Sequence, residues 1–221
     1  LKNDALAANY IAEARFLRAL CYHSLLQLYA RPYADGNGSK LGLPLRLRAE
    51  TKDGNNDLER STVAQVYDQI LADLDFASAN LPDKYSSGLL NVTRAHKNTA
   101  IAFKTRVLMA MGRYADVITE ANKIVPAAAP FKAATGVAHE LQAKVKDVFT
   151  TPYTTTESIF SMPFTSNDLP GTQNGLGSYY NPGPRGIGDF SMNKAGIIGD
   201  SVNFKAVDAR RQFTLVSGAK V

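Results

Sequence analysis

The 221 residues contain a single cysteine, Cys21, and only three histidines. One cysteine excludes an internal disulfide framework and any multi-cysteine metal site. Cys21 falls inside an apolar helical pattern and is expected to be a small buried hydrophobe. His23, His96 and His139 are far apart in the chain, two of them in predicted helices, and read as satisfied or solvated histidines rather than ligands or catalysts. No run approaches the roughly eighteen apolar residues of a membrane-spanning helix. The formal charge is +5, but Lys and Arg are scattered among Asp and Glu instead of forming a basic stripe, so nucleic acid is not an expected partner. No cofactor is expected. Leu1-Lys2-Asn3-Asp4 resembles neither a signal peptide nor a lipoprotein cleavage site, and the chain reads as cut from a longer one.

A hydrophobic share of 45% against 20% charged residues is that of an ordinary globular protein. Spacings of three and four predict a first helix from Ala5 to Tyr29, with Leu17, Leu20, Cys21, Leu25 and Leu28 on its apolar face. Arg31-Pro32 ends it. A long insertion, 31–60, follows, rich in Asp-Gly and Asn-Gly turn signals. Asp35-Gly36-Asn37-Gly38-Ser39 begins like a calcium loop, but Lys40 and Arg46 stand where glycine and glutamate are required, which leaves a plain turn.

Thr62 with Gln65 has the spacing of a capping box, opening a second helix with Val63, Val66, Tyr67, Ile70, Leu74 and Ala77 inward and a stop at Leu81-Pro82. A third helix is expected from a Thr93 cap to Met111. Ala100, Ile101, Ala102, Phe103, Val107, Leu108 and Met109 make it apolar nearly all round, hence central. Gly112 suits a left-handed helix end. A fourth, Tyr114 to Val125, turns Val117, Ile118, Ala121 and Ile124 inward, with Pro126 beyond. The pairing of these helices is that of tetratricopeptide hairpins.

Beyond Ala127 the pattern changes. Phe160, Met162 and Phe164 alternate with Ser161, Pro163 and Thr165, predicting a short edge strand near 157–165. Pro170 to Gly188 holds six glycines, three prolines and the pair Tyr179-Tyr180. So long an irregular segment reads as a functional surface loop. Its glycines follow no strand and open no helix, so a phosphate cradle is poorly supported. Exposed aromatics beside polar groups make Tyr179, Tyr180 and Phe190, with Asn174, Arg185 and Asp189, the candidate ligand-binding residues; no catalytic or metal site is expected. The alternative is that these rings only pack the loop. Asp168, Asp189, Asp200 and Asp208 could serve a glycosidase, yet nothing in the sequence brings two of them together.

Six segments in order are similar to one known family. Ala12-Glu13-Ala14-Arg15-Phe16-Leu17-Arg18-Ala19, running on to Tyr29, resembles the first helix of the SusD/RagB family. Gly42-Leu43-Pro44-Leu45 resembles its G(I/L)PL loop. The stretch from Arg60-Ser61-Thr62-Val63 through Asp73-Leu74 to Leu81-Pro82 is similar to its next helix. Thr93 to Val125 resembles the following hairpin, Glu157-Ser158-Ile159-Phe160 an ESIF element, and Asp208-Ala209-Arg210-Arg211 a DPRR element.

The resemblance implies a mainly α fold, tetratricopeptide-like helical hairpins forming an α-α superhelix, with an irregular loop-rich region and short edge strands. Region 1–126 would be the helical part and 127–221 the loop-rich part of one domain. It also implies a surface lipoprotein of the bacterial outer membrane that captures oligosaccharides or polysaccharides without cleaving them. The glycan would pass to a SusC-like TonB-dependent transporter, and membrane attachment would run only through a lipid anchor outside this sequence. The lack of tryptophan departs from common sugar binders, though tyrosine and phenylalanine offer the same apolar face. The competing expectation is a tetratricopeptide-like protein-interaction scaffold without sugar binding.

Overall fold

The chain from Asp4 to Tyr29 coils into one helix, α1, and its first structural consequence is which side it buries. A computed structural model describes residues 4–54, 56–149, 154–165, 167–168 and 175–214. The inward stripe of α1 is Ala12, Phe16, Ala19, Tyr22 and Leu26. The stripe expected from sequence lies on the other side: Leu17 and Leu28 are 44% and 75% exposed, Leu25 is exposed, and so is Cys21, which is no core residue. Both stripes have helical spacing. The one carrying Phe16 wins because its ring fits between Phe103 and Phe160 at centroid distances of 5.9 and 5.5 Å, edge-to-face with each.

The second helix, α2 (Val63–Asn80), begins as its sequence directs. Thr62 accepts from the Gln65 N–H at 3.2 Å while the Gln65 side chain accepts from the Thr62 N–H at 2.8 Å. All six expected inward residues, Val63, Val66, Tyr67, Ile70, Leu74 and Ala77, are buried. It packs on α1, and the Arg18 fork closes on the wholly buried Asp73.

The expected third helix is broken in two. Leu90–Thr93 forms a single turn, α3, and α4 runs Lys97–Ala110, so Thr93 ends one helix rather than capping the next. Arg94 is extended because its guanidinium is drawn back to Glu13, Nε to Oε1 at 3.1 Å. His96 takes the cap position of α4, its N–H donating to Thr99 Oγ1 at 3.2 Å. Ala100, Ile101, Val107 and Leu108 are buried, but Met109 faces outward. Gly112 adopts φ +73° and turns the chain into α5 (Tyr114–Ala121), which is shorter than expected. Ile124 is buried, whereas Ile118 is exposed. Helix α4 packs on both α2 and α5. The architecture is mainly α.

No strand occurs among the described residues; Leu41 with Thr62 and Lys132 with Glu140 form isolated bridges only. The edge strand expected near 157–165 is therefore absent. Phe160 is drawn into the core against Phe16, and the Ser161 N–H donates to the Val92 carbonyl at 2.6 Å. Met162 and Phe164 are exposed, and Pro163 has no N–H to extend a ladder.

The chain forms two compact units, Leu1–Leu141 with Thr156–Ser161, and Gln142–Thr155 with Met162–Val221. Among its described residues the second holds the 3-10 turns Val145–Phe149 and Ala209–Phe213, whose Phe149 and Phe213 rings meet edge-to-face at 5.5 Å, and the short helix α6 (Leu176–Tyr180).

Candidate functional site

Helix α6 exists because the segment after it folds back and bonds to it. The Ser178 carbonyl accepts from the N–H groups of Ile187 and Gly188, at 2.8 and 3.3 Å, and Phe190 N–H donates to the Tyr179 carbonyl at 3.0 Å. Asn181 closes the turn, its side-chain amide donating to the Gly177 carbonyl at 2.7 Å. Gly186 is dictated by closeness: a Cβ there would lie 2.3 Å from the Ser178 carbonyl oxygen. The glycine density of this loop thus serves backbone approach.

The fold-back sets Phe190 against both tyrosines, with ring centroids 5.7 Å from Tyr179 and 5.8 Å from Tyr180. Tyr180 and Phe190 remain 59% and 57% exposed; Tyr179 is half-buried. Arg185 and Asp189 are exposed on the same loop. Five of the six candidate residues therefore come together on one short stretch, while Asn174 lies outside the described residues. Leu176, Ile187 and Met192 extend the exposed apolar surface, a contribution the sequence reading missed; apolar residues punctuating a glycine-rich loop are its only signal. Three clustered rings with exposed faces can stack the C–H face of a sugar, and the flanking ions can meet hydroxyls.

Asp168, Asp200 and Asp208 are each held in contacts with residues close in sequence. Asp208 accepts from Arg210 at N, Nε and Nη2, and the Arg210 contacts hold its carboxyl down at about 2. Arg211 donates to the carbonyls of Lys205 and Phe204, and both guanidinium groups lie over the Phe204 ring, at 5.3 and 4.5 Å. This element is a structural clasp. Asp200 accepts from Val202, and twice from Asn203. Asp168 accepts from Thr165 Oγ1 at 2.6 Å.

The histidines also depart from expectation. His96 and His139, 43 positions apart in sequence, stack at 5.3 Å with 20° between their planes, both buried. His96 caps α4 and His139 lies in no helix. Among the described residues His96 Nδ1 and His139 Nε2 have no hydrogen-bond partner. Among the described residues, the pair is not part of a group of three or more His, Cys, Asp or Glu side chains that could hold a metal ion.

Residues 2–109 match the SusD-like_3 family, described as starch-binding and associating with the outer membrane. A SusD superfamily protein of Bacteroides fragilis is 35% identical over 75% of this chain and 35% of its own, with a TM-score of 0.61. The chain is a SusD-like protein. A SusD superfamily structure from Bacteroides thetaiotaomicron, 21% identical, shares the fold at a TM-score of 0.62 over 79% of this chain and 35% of its own. So does a laminarin-binding SusD-like protein, 22% identical, at 0.57 over 72% and 31%. This SusD-like chain spans about a third of the length of those solved relatives. No curated protein matches it significantly.

Proposed function

We propose that this SusD-like chain captures glycans without cleaving them, at the outer-membrane surface, for delivery to a SusC-like TonB-dependent transporter. The helical region 1–126 and the loop-rich region 127–221 would be parts of one such domain, tethered by a lipid anchor outside this sequence. The carrying observation is the exposed Tyr179, Tyr180 and Phe190 cluster, with Arg185 and Asp189 on the same loop. Laminarin binding by a structural neighbour supports a saccharide ligand. Capture without cleavage is supported by the carboxylates: hydrolysis of a glycosidic bond needs two acting across it, and Asp168, Asp200 and Asp208 are each held in local turns.

Calorimetric titration against α- and β-glucan oligosaccharides, followed by assay for new reducing ends, tests the proposal. Saturable binding without cleavage is expected. Tyr180→Ala should weaken it about tenfold, equivalent to about 1.4 kcal/mol. A second reading, a protein-interaction scaffold, draws on the outward stripe of Leu17, Leu25 and Leu28 on α1. Silence across the panel from folded protein would favour that scaffold.

A further inference from the structure

The insertion between α1 and α2 is an Ω-shaped loop with a tightly built stem. Gly42 N–H donates to the Ser61 carbonyl at 2.7 Å and Ser61 N–H to the Leu43 carbonyl at 3.0 Å. Arg60 Nε donates to the Gly42 carbonyl at 2.6 Å. From the core, the Tyr22 hydroxyl accepts the Arg46 N–H at 2.7 Å. Loops of this kind are ordinarily filled by their own side chains. This one instead borders an open, shallow pocket of about 500 Å³ lined between Leu45 and Leu58, a size within the range of small-ligand sites.

The lining has a definite chemistry. Arg46 is occupied, paired with Glu50 and donating to the Asn56 carbonyl at 2.7 Å. Arg48, Lys52 and Asp57 also line it, and none of their side chains has a hydrogen-bond or ion-pair partner among the described residues. Leu47 and Leu58 expose apolar surface. Two free cations call for an anionic group, one free carboxylate for hydroxyl donors, and the leucines for a C–H face. A nucleotide fits poorly, since no aromatic side chain lines the cavity and Asp57 would repel a polyphosphate.

We propose that the 44–60 loop is a binding site for a small acidic saccharide. Arg48 and Lys52 hold the ligand's carboxylate, Asp57 accepts from its hydroxyls, and Leu47 and Leu58 cover its apolar face. The site shares no residue with the aromatic surface around Tyr180.

The test is titration of the ¹⁵N-labelled full chain with digalacturonate, its neutral counterpart galactobiose, and sodium sulfate. Digalacturonate should shift amides between 45 and 58 saturably. Galactobiose and sulfate should act at least tenfold more weakly, since each offers only part of the chemistry. Arg48→Gln with Lys52→Gln should lower digalacturonate affinity at least tenfold while leaving the helical circular dichroism unchanged. Silence of the loop, unaltered affinity in the double variant, or equal binding of sulfate or galactobiose overturns the proposal.

Discussion

Arg18 closes on Asp73 across 55 residues of sequence, Nε to Oδ2 at 2.7 Å and Nη2 to Oδ1 at 2.6 Å, and so pins α1 to α2. The Asp73 side chain is wholly buried, with Gln69 as a further donor at 3.1 Å. Such a fork fixes orientation as well as attraction. Arg18→Met leaves the carboxylate buried without its cation, with Gln69 as its remaining side-chain donor, and roughly 3 kcal/mol of unfolding free energy should be lost. Arg18→Met combined with Asp73→Leu should recover much of that, because burying neither charge removes the desolvation cost. Urea midpoints of wild type, the single variants and the pair measure the coupling.

Phe160 holds its segment on the helices through the Phe16 ring, 5.5 Å away at 76°. Phe160→Ala should cost about 2 kcal/mol, below the roughly 3–5 of a fully buried phenylalanine, since the ring is partly exposed. The Ser161 amide, which donates to the Val92 carbonyl, should exchange faster with solvent, while core amides of α2 should speed up only by the global loss of stability. Hydrogen exchange separates the two.

Mild acid should destabilise the protein through its stacked histidines. Burial first, and the neighbouring His139 second, lower His96 to about 4 against the nearby backbone carbonyls of Asn91 and Ile159. Burial lowers His139 too, and burial with Arg106 lowers His23. The unfolded chain, with imidazoles near 6.5, then binds more protons than the folded one. Stability is fully present above about 6.5 and falls as pH drops toward 4, by at most about 1.4 kcal/mol per pH unit for each such group. Between pH 6.5 and 5 the carboxylates with lowered values contribute little, which isolates the histidines. Urea midpoints at pH 7 and pH 5 should differ in the wild type, and His139→Phe should narrow the difference.

Gly186→Ala should distort the candidate glycan surface without unfolding the helices. Its Cβ would meet the Ser178 and Asn181 carbonyl oxygens at 2.3 and 2.5 Å, and those are backbone atoms that cannot swing away. The near-ultraviolet signal of Tyr179 and Tyr180 should change, and glycan affinity should fall, with far-ultraviolet dichroism preserved. An unchanged affinity would separate the aromatic cluster from binding.

Local chemistry was legible where one residue's neighbours in sequence are also its partners. The Thr62–Gln65 cap, the left-handed Gly112 and the six inward positions of α2 each follow from spacing alone, because a capping bond or a helical stripe spans only a few residues. The gathering of Tyr179, Tyr180 and Phe190 was legible for the same reason, as they share one loop. Ordered family resemblance carried the mainly α fold. Tertiary structure alone decided which of two apolar stripes α1 buries, since both have the same period and only the fit of Phe16 between Phe103 and Phe160 distinguishes them. It alone broke the third helix at Arg94, through a pull from Glu13 81 residues away. It turned an alternating segment from strand into core anchor, stacked His96 on His139, and left an open pocket along the Ω-shaped loop. Each of these depends on groups remote in sequence meeting in space, and periodicity carries no record of such meetings.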